Sequence, residues 1–336
     1  MKNWLHGLIL VLLVGMVIML AWQYRSRQHS PIEFPALAAE MSNEPITPLP
    51  LSTDLDSGKV ALGEQLFNDP RLSHDNTISC ASCHSLSLGG TDRLVHSLGI
   101  GGQTGLINAP TVFNSGLNFV QFWDGRAATL EEQIDAPTHD PLEMGSTWDE
   151  ILEKLGSSPD YVSRFNGIYA DGLQRANVRD AIATFERSLI TPNSRFDRYL
   201  RGERDVLSGE ELEGYRLFKD YGCSSCHQGA NVGGNLFQKF GVMGDYFASR
   251  GKITKADFGR FNVTNIEADR HVFRVPSLRN IAQTAPYFHD GSAVRLEDAV
   301  TVMGVYQLGR PLTPSETDAI VKFLRTLSGE YKGKGL

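Results

Sequence analysis

The hydrophobic residues of this chain follow a helical spacing in three segments, and two of these segments begin with capping residues. Ser208 stands three residues before Glu211, and Thr313 stands three residues before Glu316 with a proline at the first helical position. A third helix is predicted over residues 177–189. The apolar faces of the two capped helices comprise Leu212, Tyr215, Leu217 and Phe218, and Ile320, Val321, Phe323, Leu324 and Leu327, the second helix ending at Gly329.

The segments between these helices show no sustained period. Residues 88–105 and 228–244 are rich in glycine, and strand signals are short and few. A short pattern is repeated, since residues 62–67 and 214–218 share a glycine followed at fixed spacing by Leu-Phe. The sequence therefore predicts a mainly α fold with long loops and a weak internal duplication.

The N-terminal residues predict a membrane anchor. Residues 4–22 carry no formal charge and are long enough to span a bilayer as a helix. They are longer than the hydrophobic region of a usual secretory signal, and no small-residue cleavage site follows them directly. We therefore interpret residues 1–24 as an uncleaved signal anchor rather than a cleaved signal peptide. Residues 25–51 are rich in proline and predict an extended linker.

Length and charge limit the classes of function. A chain of 336 residues with 41% hydrophobic residues suggests two globular domains of ordinary size. A formal net charge of -7 argues against nucleic acid as a partner, because phosphates are neutralised by basic surfaces. An acidic protein can still attract a basic redox partner.

All four cysteines belong to two copies of one motif, Cys-x-x-Cys-His. This motif attaches c-type haem: the two thiols bond to the haem, and the histidine ligates its iron. Disulfides would not require a histidine after each pair, and a zinc site would need its ligands in one cluster, whereas these pairs lie more than a hundred residues apart. The two copies comprise Cys80, Cys83 and His84, and Cys223, Cys226 and His227.

Two c-type cytochrome domains are therefore predicted, each around one covalently bound haem. We expect the first over residues 52–205 and the second over residues 206–336. Because bacteria attach c-type haem outside the cytoplasmic membrane, we expect these domains in the periplasm, anchored to the inner membrane by residues 4–22. The motifs alone leave two classes of function open: an electron carrier with both irons fully ligated, and an enzyme with one iron open.

The sequence around the motifs resembles the bacterial dihaem cytochrome c peroxidases, within the MauG/cytochrome c peroxidase superfamily. The resemblance covers about residues 52–330. It implies an enzyme that reduces H2O2 with electrons from a small cytochrome c or cupredoxin, and relatives of this kind are commonly homodimers. The matching segments are residues 62–72, 88–92, 108–114, 121–127, 274–280, 285–291 and 302–303.

For the first domain, the resemblance implies that the haem ligated by His84 is the low-potential peroxidatic centre. Glu143 matches the active-site carboxylate of the family, and Gln133 matches the glutamine beside it. Heterolysis of H2O2 requires a proton to move from one peroxide oxygen to the other, and a carboxylate can carry it.

For the second domain, the resemblance implies a high-potential haem where electrons enter. Met303 matches the axial methionine of this haem, and a thioether ligand raises the potential relative to a second histidine. Trp123 matches the tryptophan between the haems, which is an expected electron relay. Asn108, Thr284 and Pro286 match an interdomain calcium site, whose oxygen ligands suit Ca2+.

One position departs from the pattern of many relatives. In those proteins a histidine on the loop after the first motif caps the peroxidatic iron until the other haem is reduced. Ile100 occupies that position here, and isoleucine cannot ligate iron. We therefore expect a first haem that is open without reductive activation. His96 could replace the cap only if the loop is rearranged.

Two alternatives remain. A MauG-like dihaem oxidase also lacks the capping histidine, but it carries an axial tyrosine where this chain has Met303, and Tyr306 lies nearby. An electron-transfer dihaem cytochrome would leave Glu143 and Gln133 without a role and would not turn over H2O2.

Overall fold

Helices joined by long loops make up most of the chain in the computed structural model, which describes residues 44–336. Pro45–Leu336 belong to one folded unit. The predicted signal anchor and most of the predicted linker lie outside the described residues. Within residues 44–336, none of the helices combines the length and the apolar character that a membrane span requires. The anchor over residues 4–22 therefore stays a prediction.

The helices divide between the two halves of the chain. The first half contains α1 (Ser57–Phe67), α2 (Cys80–Cys83), α3 (Leu130–Gln133), α4 (Asp135–His139), α5 (Trp148–Gly156), α6 (Pro159–Ile168) and α7 (Arg175–Ser188). The second half contains α8 (Arg195–Leu200), α9 (Gly209–Asp220), α10 (Tyr246–Arg250), α11 (Phe261–Thr264), α12 (Leu296–Val302) and α13 (Pro314–Arg325). The predicted mainly helical architecture is confirmed.

The first core forms where α1 packs against α7. Gly63 lies at this contact, and a Cβ atom there would stand 2.0 Å from the carbonyl oxygen of Ala181. Only glycine allows the two backbones to come so close. Phe67 and Phe185 are buried beside it, with ring centres 5.2 Å apart in an edge-to-face arrangement. Burying a side chain of this size contributes roughly 1.5–3 kcal/mol.

The second core repeats this arrangement where α9 packs against α13. Here a Cβ atom at Gly214 would lie 1.9 Å from the carbonyl oxygen of Ala319. The ring of Phe323 packs against Tyr215 and Phe218, with ring centres 4.9 Å and 5.1 Å away. The internal duplication predicted from the sequence is therefore a helix contact built on glycine in each half.

The predicted helix caps are present. The Ser208 hydroxyl accepts a hydrogen bond from the N–H of Glu211 at 3.3 Å, and the Glu211 carboxylate accepts one from the N–H of Ser208 at 2.8 Å. Thr313 and Glu316 form the same two hydrogen bonds at the start of α13. That helix ends at Arg325 rather than at Gly329, because the N–H groups of Thr326 and Leu327 bond three residues back, to the carbonyls of Phe323 and Leu324.

Residues 45–49, which we call the N-terminal strap, pack onto the second half. Ile46 is fully buried in the second core, and Leu49 is 1% exposed. The N–H of Leu49 donates to the Asp197 carboxylate at 3.3 Å. The carbonyl of Thr47 accepts a hydrogen bond from the buried guanidinium of Arg279 at 3.0 Å. The strap contains no helix or strand, as expected from its prolines. It belongs to the segment predicted as an extended linker, and it packs onto the folded unit through Ile46 in the second core and the buried Leu49.

Two short antiparallel strand pairs complete the described fold. Strand β1 (Phe237–Lys239) pairs with β2 (Val272–Arg274), with Phe237 opposite Arg274. Strand β3 (Glu330–Tyr331) pairs with β4 (Lys334–Gly335). The first pair lies in the long loop region after the second cysteine motif, and it positions residues of that region around the cavity described below.

Candidate active site and haem cavities

The first attachment motif forms the short helix α2. Cys80 and Cys83 are three residues apart and therefore lie on one face of the helix. The N–H of His84 donates to the carbonyl of Cys80 at 3.0 Å, which ends the helix at the histidine. The Nδ1 atom of His84 lies 3.4 Å from the carbonyl of Gly90, an arrangement that leaves Nε2 for a metal. Burial lowers the pKa of His84, which favours the neutral form of the ring that can ligate a metal.

The second attachment motif follows the same plan with a 3-10 turn. The N–H of His227 donates to the carbonyl of Cys223 at 3.0 Å. The Nδ1 atom of His227 is buried near the carbonyls of Val232 and Pro276 without a hydrogen bond of normal geometry. Burial lowers the pKa of His227 to about 4. This imidazole is therefore also neutral at physiological pH.

These residues fit two c-type haems. All four cysteines are half-buried and free, so the disulfide alternative is not realised. Each motif brings two thiols together with a half-buried imidazole, which is the donor set that covalent haem attachment and iron ligation require.

A largely apolar cavity opens beside the second motif, and His227 and Met303 both line it. Met303 is the first residue of a π-helical segment, Met303–Gln307, that continues α12. Such segments are frequent at functional sites. Among the described residues, Tyr306 is not part of the lining, and its hydroxyl lies 2.7 Å from that of Ser249. The structure therefore brings the predicted axial methionine, and not the tyrosine, into the cavity of the second histidine.

Glu143 lies within electrostatic reach of the first motif. Its side chain is half-buried on the segment after α4. Burial raises the pKa of Glu143, the charge of Asp140 raises it further, and Arg126 lowers it. Burial also raises the pKa of the Cys83 thiol to about 11, and Glu143 is among the acids that add to this effect.

The loop that carries Ile100 docks against the segment that carries Glu143. The N–H of Ile100 donates to the carbonyl of Glu143 at 2.8 Å. The Ile100 side chain packs over Gly145, where a Cβ atom would lie 2.4 Å from its Cδ1. His96, the alternative cap, is half-buried earlier on the same loop. The position expected for a capping histidine therefore holds an apolar side chain next to the carboxylate segment.

Gln133 is the last residue of α3 and is half-buried. Its N–H donates to the carbonyl of Thr129 at 3.1 Å. Within residues 44–336, its side chain takes part in none of the hydrogen bonds, so no bond joins it to Glu143.

Trp123 links the two halves of the chain. Its indole Nε1 donates to the carbonyl of Asn108 at 3.0 Å, and its ring centre lies 6.3 Å from that of His289. The N–H of Asn108 donates in turn to the carbonyl of His289 at 2.8 Å. Trp123 also lines the cavity of the second motif.

The three residues predicted to bind calcium line the same cavity. The side-chain nitrogen of Asn108 donates to the carbonyl of Leu94 at 2.8 Å, which fixes the orientation of the amide. In the described part of the chain, the Asn108 amide oxygen and the carbonyls of Thr284 and Pro286 accept no hydrogen bond. Three uncommitted oxygens are compatible with a cation that prefers oxygen ligands.

Sequence comparison identifies the family. The sequence model described as di-haem cytochrome c peroxidase matches residues 57–205, and the one described as cytochrome c matches residues 212–328. The chain is 50% identical over 295 residues to the cytochrome c peroxidase Ccp of Escherichia coli, covering 88% of this chain and 63% of that protein. It is 48% identical over 299 residues to the cytochrome c551 peroxidase of Nitrosomonas europaea, covering 88% of each. The chain belongs to the di-haem cytochrome c peroxidase family.

Comparison with a solved structure shows that this family member shares the fold of a known relative. A MauG-like protein associated with microbial copper homeostasis superposes with a TM-score of 0.74 at 29% identity, covering 84% of this chain and 93% of that one. The predicted resemblance, the two cytochrome c-type domains and the two haems are confirmed. The peroxidases among the relatives support the predicted enzyme class.

Sequence reasoning missed a buried charged network beside Trp123. The Nε2 atom of His289 lies 2.7 Å from the Asp257 carboxylate, and Arg250 pairs with both Asp257 and Asp290. Although burial raises the pKa of Asp257, hydrogen bonds from His289 and Arg250 hold it well below its usual range. His289 and Asp257 are 32 residues apart, so no local pattern could reveal their contact.

Proposed function

We propose that this chain is a dihaem cytochrome c peroxidase that reduces H2O2 to water with electrons from a small redox protein. The observation that carries the proposal is the difference between the two haem sites. The second offers a methionine as well as a histidine, which would suit a haem iron held by two protein ligands. The first offers an isoleucine and a half-buried carboxyl group, which suits an iron open to peroxide. When bound, the haems supply the iron centres that exchange electrons with donor and peroxide.

Glu143 is the group that we assign to proton transfer at the first haem. Cleavage of H2O2 requires a proton to pass between its oxygens, and a nearby carboxyl group can accept and return it. Burial, followed by the charge of Asp140, raises the pKa of Glu143 above its usual range, which makes the carboxylate a stronger base towards a peroxide proton. We assign Gln133 to holding the peroxide, since its amide has no other hydrogen bond among residues 44–336.

Electrons are proposed to enter at the second haem and to pass to the first. Met303 would supply a thioether ligand to the second haem, which would keep its potential high relative to a site with two histidines. Trp123 lines the second cavity and donates a hydrogen bond to Asn108 of the first half. This position between the halves supports its assignment as the electron relay.

The first haem is proposed to be open in the fully oxidised protein, so that no reductive activation is needed. Ile100 supports this, because its side chain carries no ligand atom and packs over Gly145. Its N–H also bonds to the carbonyl of Glu143, which holds the loop against the proposed catalytic residue.

A calcium ion is proposed to bind at Asn108, Thr284 and Pro286. The proposal is supported by three oxygen atoms that accept no other hydrogen bond within the described residues. Ca2+ accepts amide and backbone carbonyl oxygens together with water. Because Asn108 also receives the Trp123 hydrogen bond, the ion would stabilise the relay between the halves.

The proposed location is the periplasm, at the inner membrane through residues 4–22. The covalent haem motifs support a site of assembly outside the cytoplasm. The proposed donor is a small cytochrome c or cupredoxin, and the net charge of -7 favours a basic one. A homodimer is proposed because members of the family are commonly homodimers.

The deciding experiment is steady-state reduction of H2O2 with a reduced small cytochrome c, with and without pre-reduction of the enzyme. We expect turnover in both cases and a high-spin ferric signal in the oxidised protein. Turnover only after pre-reduction would contradict the open first haem. The absence of turnover in both cases would contradict the peroxidase assignment and favour an electron carrier.

A MauG-like oxidase is the second candidate, favoured by the similarity to the MauG-like protein. That function would require Tyr306 as an iron ligand, whereas its hydroxyl bonds to Ser249 and Met303 lines the cavity. Tyr306→Phe should therefore leave the spectrum and potential of the second haem unchanged. A shift in either property would support the oxidase.

A further inference from the structure

Arg274 is buried in the cavity of the second haem without an acidic partner. Its side chain lines this cavity, and the residue is 3% exposed. Its Nε donates to the carbonyl of Phe122 at 3.2 Å and its Nη1 to the side-chain oxygen of Asn118 at 3.1 Å. A guanidinium has five N–H donors. In the described part of the chain, no carboxylate pairs with Arg274, and its Nη2 donates no hydrogen bond.

Arg279, five residues later, shows how the same chain stabilises a buried guanidinium. It is 1% exposed, and its Nη1 lies 2.8 Å from the Asp197 carboxylate. Its other donors reach the carbonyls of Ala230 and Thr47. Burial lowers the pKa of both guanidinium groups, but Asp197 opposes the effect at Arg279, whereas no carboxylate opposes it at Arg274, whose pKa falls to about 10. A buried charge without a partner is strongly unfavourable, so a counter-ion has to come from outside the described residues.

The cavity indicates which counter-ion this is. Arg274 and Lys239 line it, and no aspartate or glutamate is among its described lining residues. It also contains both thiols and the histidine of the second attachment motif. The group attached there is a haem, which is apolar over its ring and carries propionate carboxylates at its edge. Its shape and charge match an apolar cavity with an unpaired cation.

We propose that Arg274 binds a carboxylate of the second haem and thereby raises the reduction potential of that haem. The proposal rests on haem attachment at the second motif and not on peroxide reduction. Guanidinium and carboxylate form strong, geometrically matched pairs. A positive charge near the haem favours the iron state with the extra electron.

Arg274 also holds the loop that carries the proposed relay. Its N–H donates to the carbonyl of Trp123 at 2.8 Å, and its side chain holds the preceding carbonyl, that of Phe122. Phe122 has a φ of 68°, a conformation that costs energy in any residue with a Cβ atom and needs such support. One residue thus connects the haem edge with the Trp123 backbone, and we class Arg274 as a positioning residue for electron transfer.

Three variants test the proposal. Arg274→Gln removes the charge, whereas Arg274→Lys keeps it. Arg260→Gln is the matched control, because Arg260 donates to the carbonyls of Asp124 and Gly125 on the same loop, at 3.1 Å and 2.7 Å, but is not among the described residues that line the cavity.

The measurement is a spectroelectrochemical titration of the holoproteins, with the two haems followed separately. At a fixed applied potential, Arg274→Gln should lower the ratio of reduced to oxidised second haem by about tenfold, the order expected when one unit charge is lost in a poorly solvated site. Arg274→Lys should have a ratio of reduced to oxidised second haem close to that of the wild type, and Arg260→Gln should have the same ratio as the wild type.

Two results would overturn the proposal: an unchanged ratio in Arg274→Gln, or an equal shift in Arg260→Gln. If Arg274→Gln yields no holoprotein, Arg274→Lys decides. If Arg274→Lys gives a folded holoprotein whose ratio is near that of the wild type, the site requires a positive charge. If Arg274→Lys also yields no holoprotein, or its ratio falls, a positive charge is not what the site needs. Because the titration contains no peroxide, a failure of the proposed peroxidase activity would leave this result standing.

Discussion

Replacement of Glu186 by glutamine should stabilise the protein increasingly as the pH rises. Glu186 lies in α7 and is 6% exposed, and its carboxylate forms no hydrogen bond within residues 44–336. Burial raises its pKa from 4.5 to about 8; Arg187 lowers it and Glu131 raises it. These two neighbours pair with each other at 2.7 Å, so neither is committed to Glu186. Glutamine keeps the shape of the side chain and cannot ionise.

The sign and size of the effect follow from the difference between the folded and unfolded pKa values. Because the folded value is higher, the contribution of Glu186 is fully favourable below pH 4.5 and is lost as the pH rises towards 8. At 1.36 kcal/mol per pH unit, the loss is about 3 kcal/mol at pH 7 and about 1 kcal/mol at pH 5. Glu186→Gln should recover these amounts.

The assay is equilibrium unfolding of the holoproteins in guanidinium chloride at pH 5 and pH 7, followed by far-UV circular dichroism. Glu131→Gln is the control, and it should change the free energy of unfolding at pH 7 in the opposite direction. Although burial raises the pKa of Glu131, hydrogen bonds, including one from Arg187, hold it below its usual range, so its removal should destabilise the protein at pH 7. A gain for Glu186→Gln that is equal at both pH values, or a loss at pH 7 with normal haem content, would refute the reasoning.

Four further predictions concern the proposed reaction. Glu143→Gln should lower kcat/KM for H2O2 by about 10²–10⁴-fold in steady-state kinetics, with both haem spectra unchanged; near-normal turnover would remove its assigned role. Ile100→His should give a low-spin ferric first haem by electron paramagnetic resonance and make turnover depend on pre-reduction. Met303→His should lower the potential of the second haem alone; no change would mean that methionine is not its ligand. Asn108→Ala should weaken Ca2+ binding in calorimetry, and an unchanged affinity would contradict the calcium site.

The local features of the fold could be predicted from the sequence. The cap at Ser208 depends on residues a few positions apart, and the structure contains it. The repeated pattern around Gly63 and Gly214 is also local, although the helix that each glycine contacts is distant in the sequence. The two cysteine motifs are equally local, because the short turn of each brings the thiols and the histidine together.

Contacts between distant residues could not be predicted in this way. Arg274 and Arg279 stand in one short segment and look alike in the sequence, yet one faces a cavity and the other pairs with Asp197. Glu186 looks like an ordinary residue of an amphipathic helix, and only the packing around α7 shows that it is buried. The prolines around Ile46 predict an extended chain but not the surface on which it packs.

The N-terminal strap is synthesised long before the residues of the second core on which it packs. The buried residues of the first core lie between residues 62 and 189, so most of this core can close while the rest of the chain is still being made, and only the partly buried Tyr331 and Leu336 join it later. Ile46, by contrast, packs with residues from 196 to 327, and the carbonyl of Pro45 accepts a hydrogen bond from Gly229. The second half therefore matures last, when the end of the chain returns to its beginning. The second cysteine motif therefore lies in the half whose core is complete only when residues from both ends of the chain are in place.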